Sequence, residues 1–497
     1  MTINLRANPL LYEINAVTFL SSLSEKYGRK LTLATIPDEE WQYLEGKGFD
    51  LLWLMGVWQR SPYGRQLALN SVGLCGAYSS LLPGWREEDI AGSPYAIFDY
   101  QLDKLLGRED ELGILKARLN NRGVRLLLDF VPNHLAIDHP WTFSHPNWFV
   151  RGTRKSVRAH PEWFFLRDDS VYLAHGRDPN FPPWTDTVQV NFFSREMRRT
   201  LIAELLNIAE VADGVRCDMA MLALNDIFEK VWGEVVKPRI KPESEFWWDA
   251  IATVKSRYPD FIFLAEAYWG TEKQLIQLGF DYIYDKTLYD RLKYSKPAEI
   301  RDYLVNESRG LGKGVHFIEN HDEERAPEVF GREHSLAAAV AIATIPGLKF
   351  FHNGQLEGKM CHIPVQMGRE AHQPVESNIR DFYDKLINSI RDNIFHNGSW
   401  NLLVAGPAWE GSDSFSNLLV WCWTLEKRFK LVAINYSSQV AYCRVKLPLS
   451  LDGKDLVISF DELADATYQS QTKEVAKLGL YIELKPWQSH ILEIVLS

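Results

Sequence analysis

An alternation constrains this chain more than any other feature. Between about residues 10 and 351, short apolar runs take turns with segments of helical periodicity, the pattern of repeated strand–helix units on a parallel sheet. The runs expected to be strands are 13–19, 49–57, 124–131, 214–218, 261–266, 280–284, 315–319 and 348–352. Eight such strands close a barrel. An open doubly wound sheet would more often show about five to seven, with a glycine-rich phosphate loop that this sequence lacks. The expected fold is therefore α/β, a (β/α)8 TIM barrel.

Several intervening segments carry helix signals of their own. Pro37-Asp38-Glu39-Glu40-Trp41 puts a proline and acids at a helix start, where they suit unpaired amides and the helix dipole, and Gly46 and Gly48 mark its end. After Ser194, Met197, Leu201, Leu205 and Ile208 line one helical face.

Two stretches break the alternation. Residues 133–191 lack sustained periodicity and are rich in Pro, His and Trp, so they are read as an insertion on the loop after the third strand. From about Gly398 the pattern becomes short apolar strands, such as Leu418 to Trp423 and Leu456 to Phe460, separated by Asn, Gly, Ser and Pro. The expected organisation is barrel over 1–134 and 192–397, an inserted subdomain over 135–191, and an all-β sandwich over 398–497. A chain of 497 residues has room for these three units at about 100–200 residues each.

Charge and cysteine usage narrow the partners. Fifty-five basic against 65 acidic residues leave a net charge of −10, which gives no general attraction to nucleic acid or an anionic membrane and favours a neutral substrate. Five scattered cysteines without a CxxC pair signal neither a disulfide framework nor a zinc site. With no apolar leader at Met1 to Leu20 and no run of about 18 apolar residues, a cytoplasmic protein is expected. Oligomeric state is not legible in the sequence.

In a barrel of this kind, strand C-termini and the loops after them form the working face. Four of those ends carry acids: LLLDFVPNH (126–134), GVRCD (214–218), FLAEA (263–267) and FIENHD (317–322). Singly, Asp218 or Glu266 reads as a helix cap or an ion-pair partner, and His134 or His321 as a loop histidine. Jointly, they offer what α-glycoside cleavage needs: one carboxylate to attack the anomeric carbon, and one carboxylic acid about 5–5.5 Å away to protonate the leaving oxygen with retention. Arg216 shares a strand face with Asp218 and is expected to hold it ionised, while Glu266 must keep a raised pKa.

The segments DFVPNH (129–134), GVRCD (214–218), FLAEAYW (263–269) and IENHD (318–322) resemble the four signature segments of the α-amylase superfamily, glycoside hydrolase family thirteen. SPYAIFDY (93–100), QVN (189–191) and FFHNGQ (350–355) resemble further segments of that family. The resemblance implies Asp218 as nucleophile, Glu266 as acid/base and Asp322 as a third carboxylate gripping sugar hydroxyls. It also implies that Asp129, His134, Arg216 and His321 orient these groups or hold the same sugar, and that Tyr95 stacks on it.

Departures from the family pattern matter too. Met221 and Leu222 stand where many starch-cleaving members have Lys-His, and Asn133 alone matches a calcium ligand, so neither a metal nor any other cofactor is expected. Trp141, Trp148, Trp163 and Trp184 form either a sugar-binding wall or the insertion's own core, and the run 359–369 either shapes the acceptor side or is a solvated loop. The resemblance implies an α-retaining hydrolase of α-1,4-glucans. A transglycosylase, such as a glucanotransferase or branching enzyme, is the alternative, and a non-catalytic glucan-binding barrel the least favoured.

Overall fold

The computed structural model describes residues 5–168, 170–236 and 240–497. Eight parallel strands close a barrel: Leu10–Asn15, Leu51–Met55, Arg125–Phe130, Gly214–Cys217, Ile262–Ala265, Tyr282–Tyr284, Gly314–His316 and Leu348–His352, the last returning to the first. Closure is direct, with Leu11 in register with Leu51 on one side and Phe350 on the other. Every expected run contributes a strand, most of them shorter than the apolar run because its ends turn into loops.

The first strand requires a correction. It occupies Leu10–Asn15 rather than 13–19, and Ala16–Lys26 is a helix. The Asn15 side chain accepts hydrogen bonds from the Val17 and Thr18 amides at 3.2 and 3.3 Å, so a helix cap cuts what reads as one continuous apolar run. The two helix signals agree with the structure: Asp38–Lys47 ends at Gly48 in the left-handed region (φ 75°), and Arg195–Val211 is capped by Ser194.

The alternation of side chains along each strand explains how a packed barrel carries a polar mouth. Leu11, Leu127, Leu264, Phe317 and Phe350 belong to the apolar plug inside the barrel. Two residues on, the same faces present Glu13, Asp129, Glu266, Glu319 and His352, all buried. One step along the barrel axis therefore takes the interior from hydrocarbon to carboxylate. Outward-facing residues such as Leu10, Tyr12, Leu126 and Leu128 pack under the helices in the main core.

Two excursions leave the barrel's working end. After the second strand, Trp58–Arg60 pairs with Ile97–Leu102, with helices Pro62–Asn70 and Val72–Leu81 between them; sequence periodicity did not reveal this unit. After the third, His134–Ala136 pairs with Thr187–Gln189, and a small antiparallel sheet of Arg151–Gly152, Phe164–Asp168 and Val171–Ala174 lies between. The chain ends in a six-stranded and a three-stranded antiparallel sheet packed over a shared core that includes Val420, Leu431, Cys443 and Ile482. That sandwich is fastened to the barrel by Trp423 donating to the Thr344 carbonyl at 2.7 Å and Tyr436 to the Leu292 carbonyl at 2.6 Å. No described helix is long and apolar enough to cross a membrane.

Candidate active site

The barrel mouth opens into a cleft of about 830 Å³, lined in part by Tyr95, His134, Trp184, Asp218, Glu266 and Asp322. At its floor lies Arg216, fully buried on the fourth strand. Its terminal nitrogens divide: Nη1 donates to Asp218 at 2.8 Å and Nη2 to Glu266 at 2.7 Å. One guanidinium thus spans two carboxylates, and Asp129 lies 3.7 Å from Nη1. Aromatic faces enclose the cation, with Trp53 and Tyr95 ring centres 5.1 and 5.3 Å from its central carbon.

The backbone fixes the two acids against each other. The Asp218 amide donates to the Phe130 carbonyl, the Glu266 amide to that of Cys217, and the Ala220 amide to that of Glu266. Met219, next after Asp218, adopts φ 43°, strained for a residue with a β-carbon, and its amide then donates to Glu266 at 2.8 Å. Tyr268 donates to the other Glu266 oxygen at 2.7 Å. The second Asp218 oxygen, Oδ2, is buried and has no hydrogen-bond partner.

Burial raises both carboxyls against the pull of Arg216, Asp218 to about 6 and Glu266 to about 7. The two interact strongly, and Glu266 is the one raised higher, with Asp218 and Asp322 both repelling its charge. Arg216 is placed to orient Asp218 and pulls its carboxyl down, but one cation shared by several acids does not fully offset burial.

Asp322 behaves differently. It keeps 49% of its side-chain surface exposed to the cleft and is held by His321 Nε2 at 3.0 Å. Burial pushes its carboxyl up, but His321 and Arg216 outweigh that and bring it down to about 2. His321 is itself clamped: Nδ1 lies 2.6 Å from Glu13, the Tyr95 hydroxyl lies 2.7 Å from Nε2, and the Tyr95 ring stacks on the imidazole. Burial disfavours its charge, yet Asp322 and Glu13 raise its pKa well above the usual value, so it is an imidazolium. The Asn320 side chain accepts from the Asp322 and Glu323 amides, folding the turn that presents Asp322.

The sequence-derived residues thus separate into a lining and a support. Tyr95, His134, Asp218, Glu266 and Asp322 line the cleft, whereas Asp129, Arg216 and His321 are buried behind these groups. Asp129 accepts from the Gly56 amide at 3.0 Å. Gly56 has φ 76°, and a β-carbon there would meet Pro94 at 2.9 Å. His134 is buried against Trp184, and burial lowers its pKa to about 3, so the ring is neutral.

Sequence reasoning missed Glu13, the Met219 amide, Tyr268 and Trp269. Trp269 lines the cleft at φ 64°, partly exposed, before Gly270 at φ 75°. Of the insertion's tryptophans, Trp184 belongs to the cleft wall, while Trp141 packs on Trp148 and Trp163 against Trp232. Met221 and Leu222 are buried in the core. The run 359–369 packs against residues 89–92 through an Ile90–Met367 bridge and a two-pronged Arg369–Asp89 pair, and its Gln366 reaches the cleft.

The Asn133 side-chain oxygen accepts from Gln189 Nε2 at 2.9 Å. Among the described residues, the three acids close enough to share a metal are Asp392, Glu462 and Glu493, and the Lys430 ammonium already sits among them.

Comparison with known proteins agrees with this geometry. A family model described as the α-amylase catalytic domain matches residues 39–401. An α-amylase, MalA, of Haloarcula japonica is 26% identical over 462 residues, covering 90% of this chain and 58% of that protein. An α-1,4-glucan:maltose-1-phosphate maltosyltransferase of Rhodospirillum rubrum is 28% identical over 389 residues, covering 72% of this chain and 47% of that protein. The chain thus spans less than two thirds of the length of these curated relatives. Among solved structures, a maltogenic α-amylase, AmyB, of Thermotoga neapolitana superposes with a TM-score of 0.68 at 21% identity over 99% of each chain.

Proposed function

The chain belongs to the α-amylase family, and on that premise we propose that it cleaves α-1,4-glucosidic bonds with retention, through a covalent glycosyl–Asp218 intermediate. The observation that carries this reading is the shared guanidinium. Arg216 holds Asp218 and Glu266 side by side at a cleft floor, which supports the short carboxylate separation that retention requires. In the proposed first step Asp218 Oδ2, the oxygen without a partner, attacks the anomeric carbon while Glu266 gives its proton to the departing oxygen. The anomeric carbon–oxygen bond breaks as the ester forms. In the second step Glu266 takes a proton from the acceptor, which displaces Asp218.

The supporting groups then have distinct roles. Asp322, ionised and exposed, grips hydroxyls of the reacting sugar, and His321 with Glu13 fixes its orientation. Tyr95 and Trp184 offer ring faces to the sugar. Residues 135–191 act as a subdomain supplying the outer cleft wall, and Gly398 onward as a separate β unit. Five free cysteines support a reducing, intracellular setting.

A second reading, transfer rather than hydrolysis, is favoured by the relative named as a maltosyltransferase. Chromatography after incubation with maltooligosaccharides, glycogen and sucrose separates the two. Shorter reducing sugars alone are the expected outcome, longer or branched products assign the acceptor step to a sugar, and no conversion of any α-glucan sinks both readings.

A further inference from the structure

The cleft is walled by more negative charge than the proposed reaction uses. Beyond Asp218, Glu266 and Asp322, its lining includes Asp178, Asp186, Glu272, Asp290 and Glu323. Among the described residues, the lining has one lysine, Lys286, and no arginine. Lys286 is not free: its ammonium lies 2.6 Å from Asp290, 3.4 Å from Glu323 and 4.8 Å from the centre of the Tyr289 ring. The buried Arg216 has both terminal nitrogens on carboxylates. His134, buried against Trp184, is neutral.

We propose that this cleft takes uncharged α-glucosides as glycosyl donors and turns away glycosyl phosphates, with Asp290 and Glu323 setting that preference by neutralising Lys286. The proposal rests on the retaining reading of the same site and adds the class of its substrate. A phosphate monoester brings about −1.5 to −2 charges at neutral pH and is held elsewhere by Arg and Lys donors. Here Lys286 and Arg216 are already matched, and the added charge faces the carboxylates along the cleft. A neutral donor meets no such repulsion, and its hydroxyls can hydrogen-bond to the same carboxylates. With either donor the chemistry is one displacement: the bond from the anomeric carbon to Asp218 forms as the bond to fluoride or phosphate breaks, and the leaving group departs with the electron pair.

The test compares kcat/KM for α-maltosyl fluoride and α-maltose 1-phosphate with the full-length protein at low salt. The fluoride is expected to be preferred by about a thousandfold or more, with the gap narrowing several-fold in 0.5 M KCl, where screening shortens to a few ångströms. In a double variant, Asp290→Asn with Glu323→Gln, the phosphate-to-fluoride ratio should rise at least tenfold, and adding Lys286→Ala should remove part of the rise. Wild-type turnover of the phosphate within tenfold of the fluoride overturns the proposal and leaves the retaining reading standing. A folded double variant with an unchanged ratio removes the assignment to Asp290 and Glu323. An inert fluoride removes the retaining reading and the proposal together.

Discussion

Two cation-centred acid clusters in this molecule have opposite electrostatics. At the barrel mouth, one guanidinium, Arg216, serves Asp218, Glu266 and Asp129, and burial leaves the first two carboxyls raised to about 6 and 7. At the junction between barrel and β sandwich, Arg428 and Lys430 together serve Asp392, Glu462 and Glu493. There, burial would push the Asp392 carboxyl up, but hydrogen bonds from Arg428 and Lys430 hold it well below the ordinary carboxylate range. The same residue types, similarly grouped, are matched in one place and short of positive charge in the other. The shortage coincides with the cleft, the strained backbone at Met219 and Trp269, and the unpartnered Asp218 oxygen, so imbalance rather than clustering distinguishes the cluster proposed to be catalytic.

The comparison can be broken most forcefully by mutation. Glu266→Gln or Asp218→Asn should lower kcat/KM on maltooligosaccharides by at least about a thousandfold, roughly 4 kcal/mol of barrier, whereas Glu462→Gln should stay within about tenfold of wild type. Similar losses at the two clusters, measured by reducing-sugar release, would erase the distinction.

The pH profile sharpens it next. The nucleophile must be ionised and the acid protonated, so activity should fall about tenfold per unit below about 6 and above about 7, giving a narrow bell whose limbs belong to the coupled pair. A plateau from pH 4 to 9 would mean the pair does not govern turnover.

Stability gives the smallest effect and the most telling sign. A carboxyl raised in the fold opposes folding once pH exceeds its unfolded value near 4, so Asp218→Asn should raise Tm by a few degrees at pH 8, with the gain vanishing toward pH 4. A lowered carboxyl contributes stability above that unfolded value and loses it as pH falls, so Asp392→Asn should lower Tm at pH 8. Shifts of the same sign in differential scanning fluorimetry would contradict the contrast.

The barrel was legible because parallel strands covered on both faces are written as continuous apolar runs, and because an acid closing such a run is conspicuous. The same rule obscured the first strand, whose apolar residues continue into the helix capped by Asn15, and with it the inward-facing Glu13. The unit after the second strand escaped because Val72–Leu81 has no clear apolar stripe and its paired strands are short. Asp218, Glu266 and Asp322 could be read as side chains. The Met219 amide could not, since its contribution is a backbone angle, and nothing in the order of residues foretold that Arg216 would be divided between two carboxylates.

The central claim is that Asp218 becomes covalently glycosylated, and trapping tests it most directly. After incubation with 5-fluoro-α-maltosyl fluoride and proteolysis, mass spectrometry should find one added glycosyl unit on Asp218, absent from Asp218→Asn. A label carried by Glu266, Asp322 or any other residue would contradict the account.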